Sequence, residues 1–258
     1  MRDVVEWQGH ASLRFDADPD PVAAFVVDVV TTHNLKLFTT TESRSRKLAA
    51  AIRRLLPHGY KVTRRGEFLI IRHDAAFRSS RVAWLATLDP RTWPMLGGHR
   101  TFTSTRTRLV HRPTSRPVRL EVTHSPSGVD GGPGHWDPEF PERVKIAEAG
   151  LSRIGRRVSR FHDRRPDGVS IVHLDSNLNV AREIWRQWLD HTLNSPSVWT
   201  LAGVPFQGTH GSRLIDDAHI LGADVDRAAV VTRSRPPKLD HRPFIYRASY
   251  RYEHKGER

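Results

Sequence analysis

Apolar and polar positions alternate loosely over residues 4–15, and this period of two predicts a strand. Asp16-Ala17-Asp18-Pro19-Asp20-Pro21 follows as a turn and helix start, since proline suits the first helical turn. Residues 22–34 are apolar enough for a buried helix closed by Asn34, a residue that tolerates the left-handed region. Residues 35–41 read as a second strand with Glu42 at its end. Residues 43–56 place Leu48, Ile52, Leu55 and Leu56 on one face and Arg44, Lys47, Arg53 and Arg54 on the other, the stripe of an amphipathic helix. Pro57-His58-Gly59 stops it.

Strands are expected over residues 60–63, 68–73 and 82–88, then an irregular segment over 90–99. Residues 101–110 and 117–124 pair as a hairpin around Pro113-Thr114-Ser115. Residues 125–141 hold four Gly and four Pro, a loop of a length that is usually either functional or disordered. A basic helix over 144–161, a strand over 169–174 and a short helix over 181–191 follow; Trp185 and Trp188 in that helix read as core. Strands over 214–221, 228–232 and 244–251 complete the chain. No repeat or linker interrupts the order. It predicts an α/β (α+β) fold with two packed sheets and helices outside, one domain over residues 1–258.

Composition narrows the function. Of 41 basic residues 35 are Arg, and the formal net charge is +13. A charge of this size favours a polyanion, and Arg matches phosphate geometry. The absence of cysteine excludes disulfides and thiolate zinc sites. There is no apolar run of membrane length and no signal-peptide layout, so a cytoplasmic location without a membrane span is expected.

The candidate chemistry sits at strand ends, where functional groups gather at the rim of a layered fold. Glu42, His124, Asp175 with Asn177, Asp216 with Asp217, and Asp240 with His241 each close or open an apolar run. Their order, in Thr41-Glu42, Val122-Thr123-His124, Leu174-Asp175-Ser176-Asn177, Ile215-Asp216 and Leu239-Asp240-His241-Arg242-Pro243, resembles the endonuclease/exonuclease/phosphatase superfamily, the DNase I-like fold. Leu174 stands where that family has Gly, and Leu239 where it has Ser. Its first strand ordinarily ends in an Asn that helps hold the metal; Gln8 is the nearest candidate here.

The resemblance implies a four-layer sandwich of two packed, mostly antiparallel sheets flanked by helices, and a hydrolase acting on phosphate esters. It implies that Glu42, Asp240 and Gln8 hold Mg²⁺ or Mn²⁺, hard cations that prefer oxygen ligands. Asp175 and Asn177 would manage the attacking water. His241, paired with Asp216, would contact the phosphate or act as base, and His124 would donate to a phosphate oxygen. Asp217 stands as an alternative to Asp216. Arg44 and Arg72 are candidates for substrate phosphates, and Trp136 for stacking on a base. The first expectation is a nuclease acting on nucleic acid, DNA before RNA. The rivals are a phosphatase of the same fold acting on a phospholipid, inositol phosphate or nucleotide, and a non-catalytic nucleic-acid-binding protein.

Overall fold

A computed structural model describes residues 3–13, 18–43, 45–83, 102–132, 135–232, 236 and 239–251, with the side chains of 80–83 left aside. Strands β1 (Val4–Ser12), β2 (Leu37–Thr41), β3 (Tyr60–Arg65), β4 (Phe68–His73), β10 (Asp224–Val230) and β11 (Phe244–Tyr250) form one sheet, ordered β10-β11-β1-β2-β4-β3. Strands β5 (Phe77–Ala83), β6 (Thr103–His111), β7 (Arg116–His124), β8 (Val169–Asp175) and β9 (Asp216–Leu221) form the second, in sequential order. Among these pairs β1–β2 and β7–β8 are parallel and the others antiparallel.

Helices α1 (Pro19–Thr32) and α2 (Arg46–Leu55) cover the outer face of the first sheet. Helices α3 (Pro141–Arg164) and α4 (Glu183–Leu193) pack with the second, and the short α5 (Val198–Ala202) lies against β10 of the first sheet and β9 of the second. The result is the expected four-layer sandwich. α1 takes its start from Asp18, whose carboxylate accepts from Asp20 N, with Pro in the first turn. α2 buries Leu48, Ala49, Ala51 and Ile52 and turns Arg53 and Arg54 outward. The expected hairpin is β6–β7, and Asn34 adopts the left-handed conformation (φ 51°). Two elements were not anticipated: α5, and the start of β5 at Phe77. Residues 84–88 and the 90–99 segment lie outside the described residues.

Strand direction decides where the rim is. The C-terminal ends of β1, β2, β7 and β8 point the same way, and antiparallel pairing brings the N-terminal ends of β4, β6, β9 and β11 to meet them. Successive strand side chains face opposite ways. On β1 this sends Glu6, Gln8, His10 and Ser12 in one row between the sheets, all buried. Buried polar groups need partners. Glu6 lies 3.7 Å from His111 Nε2, and His10 Nδ1 is 2.7 Å from Thr39 Oγ1. Gln8 meets the hydroxyls of Tyr250 and, at 2.9 Å, Tyr246.

Candidate active site

The last residue of that row, Ser12, reaches the rim. Its Oγ lies 2.6 Å from Thr41 Oγ1, 2.9 Å from Asp175 Oδ2 and 2.5 Å from Asp216 Oδ1. This corrects the expectation for Gln8. Gln8 faces the same way but sits four residues lower, about 13 Å along the strand, held by two tyrosines. At the end of the first strand, where the family has its Asn, this chain places Ser12.

Asp175 closes β8, paired with Asp216 of β9 and, on the other side, with His124 of β7. The turn after it is built by its own side chain. Asp175 Oδ1 accepts from Asn177 N (3.3 Å), and Asn177 takes a left-handed φ of 54° that Asn tolerates. Asn177 Nδ2 donates to Ser125 O at 2.9 Å, which fixes its amide plane. Leu174 lies on the opposite face, fully buried, so a leucine in place of glycine leaves the turn intact. The same alternation separates the two β9 acids. Asp216 enters the site, while Asp217 faces the start of α5 and accepts from Ser197 Oγ (3.1 Å).

His241 Nδ1 lies 2.7 Å from Asp216 Oδ2. Burial alone would push the imidazole down, but the Asp216 charge and hydrogen bond outweigh it and raise His241 to about 10. Burial likewise opposes ionisation of Asp216, yet His241, His10 and Ser12 hold it down at about 2. The pair is therefore imidazolium and carboxylate at neutral pH. Asp175 is pushed the other way, above the ordinary carboxylate range, by burial and then by the charge of Asp216.

Glu42 follows β2 with φ 56°, a conformation that non-glycine residues adopt at a cost and that is often found at functional sites. Burial raises its carboxyl to about 7. His124 Nε2 lies 3.9 Å from both Glu42 Oε1 and Asp175 Oδ2, and its Nδ1 is 3.4 Å from Glu67 Oε1. Burial disfavours its charge, but these three acids overcome that and raise it to about 9. Glu67 was not anticipated. It sits in the β3–β4 hairpin turn and also accepts from Thr103 Oγ1.

These groups open into a cleft of about 320 Å³ lined by Glu42, His124, Asp175, Asn177, Asp240 and His241, together with Ser127, His210, Arg213 and Ile215. Asp240 Oδ2 lies 3.5 Å from His210 Nε2, and the His210 and His241 rings stand 4.9 Å apart. Arg213, also unanticipated, is held 3.2 Å from Asp130 Oδ2 at the cleft edge. Asp130 pins the Gly/Pro-rich loop by accepting from Asn179 N and Trp185 Nε1. Trp136, half-buried, packs against Trp185 and Trp188 with centroids 4.6 and 5.0 Å away, on the edge of the core.

Arg72 is not at the site. β4 runs antiparallel to β2, and Arg72 pairs with Leu37 at the far end of the sheet, bound to Asp74 and, at 2.6 Å, to Phe77 O. Arg44 lies outside the described residues. Among the described residues, two sets of ligating atoms lie within 4.8 Å of one another: Asp175, Asp216 and His241, and His210, Asp240 and His241. No described helix is long and apolar enough to cross a membrane.

No protein-family model matches the chain, and no curated protein matches it in sequence. Solved structures share its fold over nearly the whole length. An endonuclease/exonuclease/phosphatase family protein from Bacteroides thetaiotaomicron is similar with a TM-score of 0.71 at 14% identity, over 100% of this chain and 99% of that one. TDP2 of D. rerio, complexed with a single strand DNA product, gives 0.61 at 10% identity, over 94% and 98%. The mannosyl-6-phosphatase Bt3783 of Bacteroides thetaiotaomicron gives 0.64 at 13%, over 93% and 98%. The chain therefore has the endonuclease/exonuclease/phosphatase fold.

Proposed function

We propose that the protein is a metal-dependent phosphodiesterase that hydrolyses DNA by attack of water on the phosphate. The observation that carries this reading is the convergence of Asp175, the His241–Asp216 pair, His124 and Glu42 in one cleft at the rim of this fold. The +13 charge and the likeness to a structure holding a DNA product favour a nucleic-acid substrate.

The donor set fits a hard divalent cation. Carboxylate oxygens dominate it, and Glu42 and Asp175 are both driven towards protonation by burial, with neighbouring carboxylates adding to that push. Glu42 and Asp240 are the residues that would hold Mg²⁺ or Mn²⁺, since Asp216 is engaged by His241 and Ser12 and Asp175 is left to the attacking water. The ion would supply charge neutralisation and polarisation of a phosphoryl oxygen.

The remaining work falls to this chain's own groups. Asp175, a carboxylate of raised basicity, takes the proton from the attacking water, and Asn177 orients it. His241, protonated through Asp216, donates Nε2–H to a phosphate oxygen rather than acting as base. Protonated His124 donates to a second oxygen as charge develops. Arg213 at the cleft edge meets the incoming phosphate.

The test is a substrate panel of plasmid, RNA, abasic duplex, inositol phosphates and sphingomyelin with Mg²⁺ or Mn²⁺. Plasmid cleavage that stops in EDTA and is lost in His241→Ala is expected. Cleavage confined to a phosphomonoester would move the protein to the phosphatase reading, which the likeness to a sugar phosphatase favours. Binding of DNA without hydrolysis of any substrate would leave the non-catalytic reading.

A further inference from the structure

A dense patch of positive charge lies away from the cleft. Arg106 and Arg108 on β6 and Arg119 on β7 stand on one face of the second sheet, with Arg106 opposite Glu121 and Arg108 opposite Arg119. Arg157, Arg160 and Arg164 lie along α3 at spacings of three and four, one helical face turned to the same groove. The groove holds about 620 Å³, and Val110, Pro117 and Phe161 give it an apolar wall. No carboxylate lines it among the described residues.

One acid lies beneath it. Glu121, fully buried, accepts from Arg119 and, at 3.3 Å, from Arg157. With Arg165 at the end of α3, seven guanidinium groups line the groove against that single carboxylate. Two further observations point to an absent anion. Nε of buried Arg119 and of Arg106 has no hydrogen-bond partner among the described residues. Burial, with the charge of neighbouring guanidinium groups, depresses Arg106, and Arg157 is depressed in the same way, so the positive charge is under strain.

We propose that this groove is a second binding site, for the contiguous phosphates of a nucleic-acid strand. The charge decides the class of ligand. One phosphate group brings at most about two negative charges, far fewer than the excess guanidinium charge, so several linked phosphates are needed. The two rows of arginines, from sheet and helix, flank a linear path. The Phe161 ring at the groove offers a surface for a base. Arg119 is five residues from His124 on the same strand, so the groove lies on the face of the second sheet opposite the cleft, roughly 17 Å away along β7, and is a site separate from it. The inference extends the nucleic-acid reading of the cleft, but its test does not need catalysis.

The experiment measures binding of a fluorescent single-stranded oligonucleotide to the full chain in EDTA, across a salt series. Arg160→Gln/Arg164→Gln/Arg165→Gln removes exposed groove charge without touching the core. Arg53→Gln/Arg54→Gln on α2 serves as the control for charge loss elsewhere. The groove variant should bind about tenfold more weakly, and its salt slope should fall by about 0.7 for each phosphate that is no longer neutralised. The α2 variant should remain close to wild type. Unchanged binding in the groove variant, or an equal loss in both, overturns the proposal. Tight binding of inorganic tripolyphosphate, with oligonucleotide affinity untouched by the substitutions, also overturns it by reassigning the groove to a small polyphosphate. Asp175→Asn should bind the oligonucleotide normally, so failure of the cleft chemistry and failure of the groove give different results.

Discussion

The hydroxyl of Ser12 donates to Asp216 across 2.5 Å, from the last residue of β1 in one sheet to the first residue of β9 in the other. The same oxygen is 2.9 Å from Asp175, but a hydroxyl carries one proton and cannot donate to both at once. Asp216 is held ionised by His241, so the Ser12 proton goes to it; once Asp175 has taken the proton of the attacking water, it can donate to the Ser12 oxygen and complete the second contact. Ser12 thus couples the base to the histidine pair. Ser12→Ala removes a hydrogen bond to a charged group, worth about 1.5–3 kcal/mol. Phosphodiester turnover should fall roughly ten- to a hundredfold at unchanged fold, measured as plasmid nicking beside a circular dichroism spectrum. Unchanged turnover would remove Ser12 from the site.

Asp175→Asn separates catalysis from stability. The carboxylate is buried beside Asp216, and both facts disfavour its charge. The amide keeps the shape, retains an acceptor for Asn177 N, and ends the repulsion. Turnover should fall by about 10²–10⁴, the usual worth of a general base. Thermal stability in EDTA should stay level or rise. A large drop in Tm would show that the carboxylate supports the fold rather than the reaction.

Much of this site was legible in the sequence because an acid that ends or begins an apolar run advertises itself. Asp175, Asp216 and His241 were found that way. The failures have physical causes. Arg72 ends a strand, as Asp175 does, but a strand's direction is set by its partner, and β4 runs opposite to β2. Gln8 resembles the family's Asn in chemistry, yet its depth along β1 depends on where the sheet edge falls. The available signal was the alternating polar row Glu6, Gln8, His10 and Ser12, whose last member is the rim residue. Glu67 and Arg213 stand in turns, and only tertiary pairing brings them to His124 and to the cleft. Asp216 and Asp217 were separable only once β9 had a face against β8.

The packing that supports β8 also makes a sharp prediction. A Cβ added at Gly155 in α3 would lie 1.8 Å from the carbonyl oxygen of Thr192 in α4. Alanine would gain about 1 kcal/mol of helix propensity. Overpacking against backbone costs about 1–3 kcal/mol, and more where neither helix can retreat. Gly155→Ala should therefore lower Tm by several degrees in thermal unfolding, while an exposed helical substitution such as Arg156→Ala should leave it nearly unchanged.

His219 carries the clearest dependence of stability on pH. It is fully buried on β9, with Nδ1 3.2 Å from Asp190 and 2.7 Å from Ser195 O, and with Nε2 3.4 Å from Asp217. Burial opposes its charge, but the two carboxylates prevail and raise it to about 10. An unfolded histidine titrates near 6.5. A raised folded value means the stabilisation is fully present below about pH 6.5 and is lost as pH rises through 10. Wild type should therefore lose stability to urea between neutral pH and pH 10. His219→Gln, which cannot be charged, should be less stable at neutral pH and should approach wild type as pH rises. Parallel curves, with a constant gap between the two proteins, would mean that the buried imidazole is neutral in the folded state.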